Sequence, residues 1–283
     1  MSLGPFDLTG GPFLQLYAIL GAVALIAGWI IPYWLRPEGR AVEVTDAGEL
    51  AYLAGGASRF ADAVVARLLS ARALVMIGKT GFHAQARDAG RTAAERSVLA
   101  LPGEVRWPAI ERSLKSHTAP IERELVSAGL MMDDGLIRQM RFWQTLPYLL
   151  LLGFGSIKWM IGVSRDRPVG FLTAFLIVTA VVALLRWAAV DKRTKGGIAA
   201  LADARARAER LQRAPTTTET DLAVALFGTV VLAGSGWSDF HRFRTASSSD
   251  SGTSGDGGGS SDGGSGCGGG GGGGGGGCGG CGS

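Results

Sequence analysis

The stretch that decides the fold is a pair of long apolar segments joined by a short polar loop. Residues 146–163 read LPYLLLLGFGSIKWMIGV, residues 169–190 read VGFLTAFLIVTAVVALLRWAAV, and the loop between them reads SRDRP. A helix needs roughly 20 apolar residues to cross the hydrocarbon of a bilayer, and helices of soluble proteins are rarely so uniformly apolar. The two segments therefore predict a transmembrane hairpin, with spans at 142–163 and 169–190.

The side chains near the ends of these segments agree with this assignment. Each segment carries one charge, Lys158 in the first and Arg186 in the second. Long basic side chains bury their methylenes and lift their charge toward an interface. Trp143, Trp159 and Trp187 lie where interfacial aromatic residues are found. We expect Lys158 to reach the interface in this way rather than to act as a functional charge inside the membrane.

A third apolar segment lies near the N-terminus. Residues 13–35 contain no charge, and the preceding residues 1–12 contain no Lys or Arg. A secretory signal has a basic leading region, a shorter apolar core and a small-residue cleavage site. Because this segment lacks those features, we interpret it as a permanent transmembrane anchor.

The distribution of basic residues predicts the orientation of the three spans. Positive charge is enriched on the cytoplasmic side of membrane helices, and Arg36 and Arg40 follow the first span. We therefore expect a multi-pass membrane protein with its N-terminus, residues 1–12, outside. Residues 36–141 and 191–245 are then cytoplasmic, and the loop 164–168 is external.

Residues 36–141 form the longer polar segment, with 15 Lys or Arg and 13 Asp or Glu. An apolar stripe predicts a helix over 58–69, after a short helix that Gly55 and Gly56 end. Residues 73–77 and 82–84 predict a hairpin. A weaker copy of this order, with a helix opening at Thr118 and Pro120 and a second hairpin at 130–137, follows. The fold class is thus mainly α, with a small α+β, winged-helix-like cytoplasmic domain.

Several functional classes are disfavoured by the residues themselves. The presumed recognition helix of the winged-helix arrangement carries only Arg59, Asp62 and Arg67 as charged side chains, whereas a nucleic-acid reader shows a basic face. Gly78-Lys79-Thr80 is not a phosphate-binding loop, because Ala73 stands where that motif needs Gly. Paired carboxylates and activated nucleophiles are not recognisable, so we expect no enzymatic activity.

The segment after the third span contains a basic part and an apolar part. Residues 191–213 hold seven Lys or Arg and three acids, which suits either a helix along the anionic leaflet or a solvated helix face. Residues 222–233 are apolar but short of a spanning length. We expect this apolar part to pack on the cytoplasmic domain rather than to form a fourth span, which would place the tail outside.

The C-terminal tail, residues 246–283, is a low-complexity segment in which 21 of the last 32 residues are Gly. It offers too little apolar surface to offset the entropy of ordering, so we expect disorder. Its cysteines, Cys267, Cys278 and Cys281, are candidate ligands for a zinc ion, and His241 is the nearest candidate in sequence for a fourth ligand. The cysteines could instead link copies into a homo-oligomer, carry a modification or have no specific role.

With these features in view, the chain resembles an uncharacterised family of bacterial membrane proteins. Its members have a conserved domain of unknown function and a glycine- and cysteine-rich C-terminal tail. The matching pieces are Pro5–Leu8, Glu49–Gly56, Arg167–Phe171, Thr194–Gly197, Asp221–Gly228 and the Gly/Cys ending. The resemblance implies a location in the bacterial inner membrane and three spans, and it supplies no activity or catalytic residues. The chain also resembles, more faintly, a second family of membrane proteins with a Gly-rich end.

The leading functional hypothesis is a membrane-anchored scaffold that binds an unidentified protein partner. One alternative is a membrane-tethered regulator that binds nucleic acid. Another is metal or redox handling by the cysteines of the tail.

Overall fold

A computed structural model describes residues 10–164, 170–213, 216 and 218–250, and it is mainly helical. Three of its helices are long and apolar enough to cross a membrane: α1 (Gly10–Leu35), α5 (Asp134–Ser164) and α6 (Gly170–Ala188). Most of their apolar surface is left uncovered by the protein, as a bilayer-facing surface requires. The three predicted membrane-length helices are confirmed.

The central helix of this bundle is α5, which packs against both α1 and α6, whereas α1 and α6 touch each other little. Glycines allow α5 and α1 to approach each other closely. A Cβ added at Gly155 would lie 2.7 Å from the ring of Tyr17 on α1. Tyr17 and Tyr148 are both fully buried in the apolar core of the bundle. Helix contact here depends on small residues, as is usual in membranes, where lipid competes for apolar surface.

The α5 helix begins eight residues before the predicted start of the second span, at 134 instead of 142. At 1.5 Å per residue its 31 residues extend about 46 Å, whereas the hydrocarbon is about 30 Å thick. Part of α5 therefore lies outside the hydrocarbon and connects the bundle to the polar domain.

The domain is built from two separate parts of the chain. The first part contributes α2 (Ala47–Ser70), β1 (Leu74–Ile77), β2 (Gly81–Ala84), α3 (Ala93–Leu99), β3 (Glu104–Arg106) and α4 (Trp107–Ser127). The part after α6 contributes α7 (Lys195–Arg207), α8 (Glu209–Arg213), α9 (Thr220–Phe227), a 3-10 turn (Thr229–Leu232) and α10 (Ser238–Asp250). The strands form one antiparallel sheet in the order β1-β2-β3, in which Phe82 pairs with both Met76 and Val105.

The core of the domain is α2, which packs between α4 and α9. Asp46 begins this helix, since its carboxylate accepts the backbone N–H groups of Gly48 and Glu49 at 2.9 and 3.0 Å. The predicted break at Gly55 and Gly56 is a kink between two stacked helical pieces, with Gly56 in the left-handed region at φ 65°.

Part of the predicted winged-helix-like pattern is wrong. The first hairpin is present, but residues 134–137 form the first turn of α5 instead of the return strand of a second hairpin. Asp133 accepts the backbone N–H of Leu136 at 2.8 Å, which favours a helix start at this point. Thr118 and Pro120 do not open a helix, because α4 already begins at Trp107-Pro108.

The elements α3, the edge strand β3 and the C-terminal helix α10 were not predicted. The elements α3 and β3 are short, and all three depend on contacts with the rest of the domain: α3 packs on α4, β3 pairs with β2, and α10 packs on Phe82. The structure thus shows a helical domain with one small three-stranded sheet.

The apolar segment after the third span packs on the domain, as predicted, and does not form a fourth spanning helix among the described residues. In α9, Ala223, Val224 and Ala225 are completely buried, and the helix lies against α2. The basic segment is divided into α7 and α8, and α7 buries Leu201 and its neighbouring alanines in the same core.

The predicted tail boundary at 246 is too early, because α10 continues to Asp250. Residues 251–283, including Cys267, Cys278 and Cys281, lie outside the described residues. Residues 1–9 of the predicted external N-terminus 1–12 also lie outside them, as do residues 165–168 of the predicted external loop 164–168 and residue 169 of the predicted third span.

Candidate functional site

The membrane bundle and the domain meet at a junction made by the three segments that flank the spans: residues 36–40, 129–132 and 190–197. Thr194 is its central residue. Its hydroxyl donates to the carbonyl of Gly129 at 2.8 Å and accepts the N–H of Gly197 at 3.0 Å, where it caps α7. Its backbone N–H donates to the carbonyl of Leu130 at 3.1 Å. One buried side chain therefore joins the exit of α6 to the segment before α5.

Glycines allow the backbones to meet at this junction. The N–H of Gly196 donates to the carbonyl of Glu38 at 2.6 Å, and a Cβ on Gly196 would lie 2.5 Å from the carbonyl oxygen of Arg40. A Cβ on Gly197 would overlap the carbonyl of Leu130. Within Thr194–Gly197, the segment singled out above by resemblance, a side chain larger than hydrogen does not fit at Gly196 or Gly197.

Beside the junction lies a groove of about 810 Å³. Its floor is α5, through Met140 and Gln144, and its sides are the C-terminal ends of α1 and α6 together with the first turn of α7. Gln144 is 2% exposed and donates to the backbone carbonyl of Arg186 at 2.5 Å. The ends of all three spans are thereby held around one opening on the domain side of the bundle.

The charge of this groove is positive. Arg36, Arg186 and Lys195 line it, and Asp191 is the only acid among the described residues that do so. Asp191 is already paired with Arg36 at 3.2 Å and with Arg193 at 2.9 Å. Burial raises the pKa of Asp191, but the hydrogen bond and charge of Arg193 and the charge of Arg36 outweigh burial and hold this pKa below its ordinary value.

Aromatic side chains form the membrane-facing wall of the groove. Trp29, Tyr33 and Trp34 lie on the last two turns of α1 and are 75%, 75% and 78% exposed. The ammonium of Lys195 lies 5.9 Å from the centroid of the Tyr33 ring. Exposed Trp and Tyr beside basic residues are typical of the level at which a helix leaves the hydrocarbon.

A second charged cluster lies between α2, α3 and α9, around Arg67. Its guanidinium pairs with Glu95 at 3.2 Å and with Asp221 at 2.8 Å, and Glu95 also accepts the N–H of Arg91 at 2.7 Å. Arg59, on the same helix, donates to the carbonyl of Val224 at 3.3 Å. Both arginines of the presumed recognition helix therefore have partners within the domain, and α2 is an interior helix.

A third feature is the attachment of the C-terminal helix α10. Phe240 and Phe243 pack on Phe82 and Trp107, with ring centroids 5.8 to 6.2 Å apart. Arg244 lies over the Trp107 ring at 4.1 Å and pairs with Asp62 at 2.6 Å. Burial raises the pKa of Asp62 to about 6, in spite of the opposing charge of Arg244. Aromatic packing and an ion pair together hold α10 against the domain.

The candidate metal ligands of the sequence are not brought together in the described part of the chain. The three cysteines of the tail lie outside it, and no group of three His, Cys, Asp or Glu that could hold a metal ion is found within it. His241, the nearest candidate for a fourth ligand, makes a 3.1 Å hydrogen bond with Thr229.

The residues of the groove were noticed in the sequence only as indicators of orientation. Arg36 and Arg186 lie 150 residues apart, so their convergence depends on how the three helices pack. The available signal was the presence of aromatic and basic residues at one end of each span. No family model, curated protein or solved structure matches this chain at a significant level.

Proposed function

We propose that this protein is a non-enzymatic, membrane-anchored scaffold of the bacterial inner membrane that presents its Gly/Cys-rich tail to a protein partner. The observation that carries this proposal is the attachment of α10 to the domain by the aromatic cluster and the Asp62–Arg244 pair. Because α10 ends at Asp250, the 33 residues that follow start from a defined point on the domain.

The junction around Thr194 supports this role. It connects the domain to the bundle by hydrogen bonds between backbones that glycines bring into contact. A domain held in this way keeps the start of the tail near the membrane surface. A tail rich in Gly then reaches a partner over a distance set by its length, which raises the local concentration of its cysteines near that partner.

The proposed orientation has the domain, α7 to α10 and the tail on the cytoplasmic side. The supporting observation is that Arg36, Arg141 and Lys192 all follow or precede spans at the domain end of the bundle, in keeping with the excess of positive charge on cytoplasmic segments. The winged-helix-like description and the family resemblance stay predictions. The nucleic-acid hypothesis gains no support, since Arg59 and Arg67 are engaged within the domain.

Crosslinking in native membranes tests the proposal. The full chain is compared with a variant that ends after Asp250 and with a variant that has Ser at Cys267, Cys278 and Cys281. We expect the full chain to capture a protein, or a second copy of itself, and the truncated variant to lose that product. If the serine variant also loses the crosslinked product, the cysteines make the contact with the partner. If the serine variant retains the product, the glycine-rich chain makes that contact.

A matched variant separates the tail from its attachment. Arg244→Gln leaves the tail sequence complete but weakens the hold on α10, so we expect a lower yield of the same product. The scaffold proposal is wrong if truncation after Asp250 leaves the captured products unchanged.

A further inference from the structure

We propose that the groove between the ends of α1 and α6 binds the headgroup of an anionic phospholipid. This inference concerns the membrane end of the domain and does not depend on the role of the tail. Basic pockets between transmembrane helices are a recognised way in which proteins bind anionic lipid headgroups.

The geometry of the groove suits a lipid. Because α1 and α6 touch each other little, a gap is left between their C-terminal ends. Its volume, about 810 Å³, lies in the range of small-molecule sites. The gap is placed at the level where the spans end, which is the level of the phosphate groups of the adjacent leaflet.

The charges select an anion. Three cations, Arg36, Arg186 and Lys195, face the groove from three different elements. The one acid, Asp191, is paired with Arg36 and Arg193 and has a lowered pKa, so it stays ionised and leaves a net positive groove. A lipid phosphodiester would interact with the guanidinium of Arg186 and the ammonium of Lys195, because Asp191 does not occupy either of them.

The apolar wall of the groove favours a lipid over a free anion as the ligand. Ile26 and Ile30 on α1 are 59% and 44% exposed and continue from the groove toward the centre of the span. An acyl chain attached to the bound headgroup can lie along this face and between the rings of Trp29 and Tyr33. Inorganic phosphate gains nothing from these contacts.

The test uses the full chain in nanodiscs of phosphatidylcholine, with or without phosphatidylglycerol. We expect phosphatidylglycerol to be retained through detergent extraction and to raise the melting temperature. Near a surface each basic residue contributes about 1 kcal/mol to the binding of anionic lipid, which corresponds to about fivefold in affinity. Arg186→Gln and Lys195→Gln should each weaken binding about fivefold, and the double variant about twenty-fivefold.

Arg242→Gln is the matched control, since it removes the same charge from an exposed position on α10, away from the groove. Circular dichroism of each variant, compared with wild type, identifies any that fails to fold, and Lys195→Gln changes an exposed side chain only. The inference holds if the groove variants weaken binding and the control does not.

Three results would overturn it. The first is an equal melting temperature in nanodiscs of phosphatidylcholine alone, which would mean that a neutral lipid stabilises the protein as well as an anionic one. The second is equal loss in Arg242→Gln, which would mean attraction to the whole charged surface. The third is displacement of bound phosphatidylglycerol by inorganic phosphate at the concentration at which added phosphatidylglycerol itself displaces it. That result would mean that the groove is a site for free anions.

Discussion

The Nε atom of Arg244 lies 2.6 Å from a carboxylate oxygen of Asp62, although 182 residues separate the two in sequence. The pair connects α10, the last helix, to α2, the centre of the domain core. Burial nevertheless raises the pKa of Asp62 to about 6. The free-energy cost of removing the carboxylate from water therefore exceeds the stabilisation that the charge of Arg244 provides, as is common for buried ion pairs.

The stability of the domain should depend on pH through Asp62. Since its pKa is about 6 in the folded state and about 4 in the unfolded chain, the folded state holds the proton more tightly. This contribution is complete below about pH 4 and is lost as the pH rises through about 6. We expect wild type to lose about 3 kcal/mol over that window relative to Asp62→Asn.

The measurement is the difference in unfolding free energy between wild type and Asp62→Asn, in detergent, at intervals from about pH 4 to about pH 7. The charge of Arg59 lowers the pKa of Asp62, and the charge of Glu111 raises it. Both residues are present in wild type and in Asp62→Asn. A difference that does not change with pH would contradict the raised pKa.

Thr194 should be required for the junction through its hydroxyl. The hydroxyl contacts Gly129, Leu130 and Gly197, and Thr194 is 3% exposed. Thr194→Val keeps the shape but removes these hydrogen bonds and leaves the N–H of Gly197 without the acceptor that the hydroxyl supplies, so we expect a loss of about 1–3 kcal/mol. Thr194→Ser keeps the hydroxyl and should lose less than half as much. Equal losses in thermal melts of the two variants would show that packing, not hydrogen bonding, accounts for the effect.

Gly197→Ala should destabilise the protein, although Ala is normally the better helix residue. The added Cβ would overlap the carbonyl of Leu130, and backbone atoms cannot rotate away from it. We expect a loss of about 1–3 kcal/mol. Gly153→Ala is the control, because nothing lies within 4 Å of a Cβ at that position in α5. Melting temperatures in detergent measure both, and a neutral Gly197→Ala would contradict the packing described here.

The proposed orientation predicts which introduced cysteines react from outside the cell. In a background with Ser at the three tail positions, Thr80→Cys places a thiol on the exposed turn between β1 and β2. Arg167→Cys places one in the loop predicted to be external. An impermeant maleimide should label residue 167 in intact cells and residue 80 only after lysis. The reverse pattern would place the domain outside.

The predictions that succeeded depend on local composition. The three spans were recognisable because each is a long and predominantly apolar segment, and each apolar side chain separately favours transfer into lipid. The hairpin Leu74–Ala84 was recognisable because a glycine turn separates two apolar strands. The break in α2 was recognisable from Gly55-Gly56 alone.

The predictions that failed depend on competition between segments. Residues 130–137 have a hairpin composition, but 134–137 extend α5, because Asp133 caps that helix and Met131 pairs with Arg193 from another part of the chain. The short elements α3 and β3 carry weak local preferences, and their neighbours determine their conformation. The groove was not predictable, since its cations come from three separate segments.

By itself the sequence determined that three segments belong in a bilayer and that the rest is a polar domain with a glycine-rich tail, because burial in lipid depends on each segment's own side chains. Only the tertiary structure decided that the part after the third span completes the domain core through α9, and that Arg36, Arg186 and Lys195 meet at one groove. These arrangements bring together segments of the chain that lie 150 or more positions apart, and no local pattern encodes them.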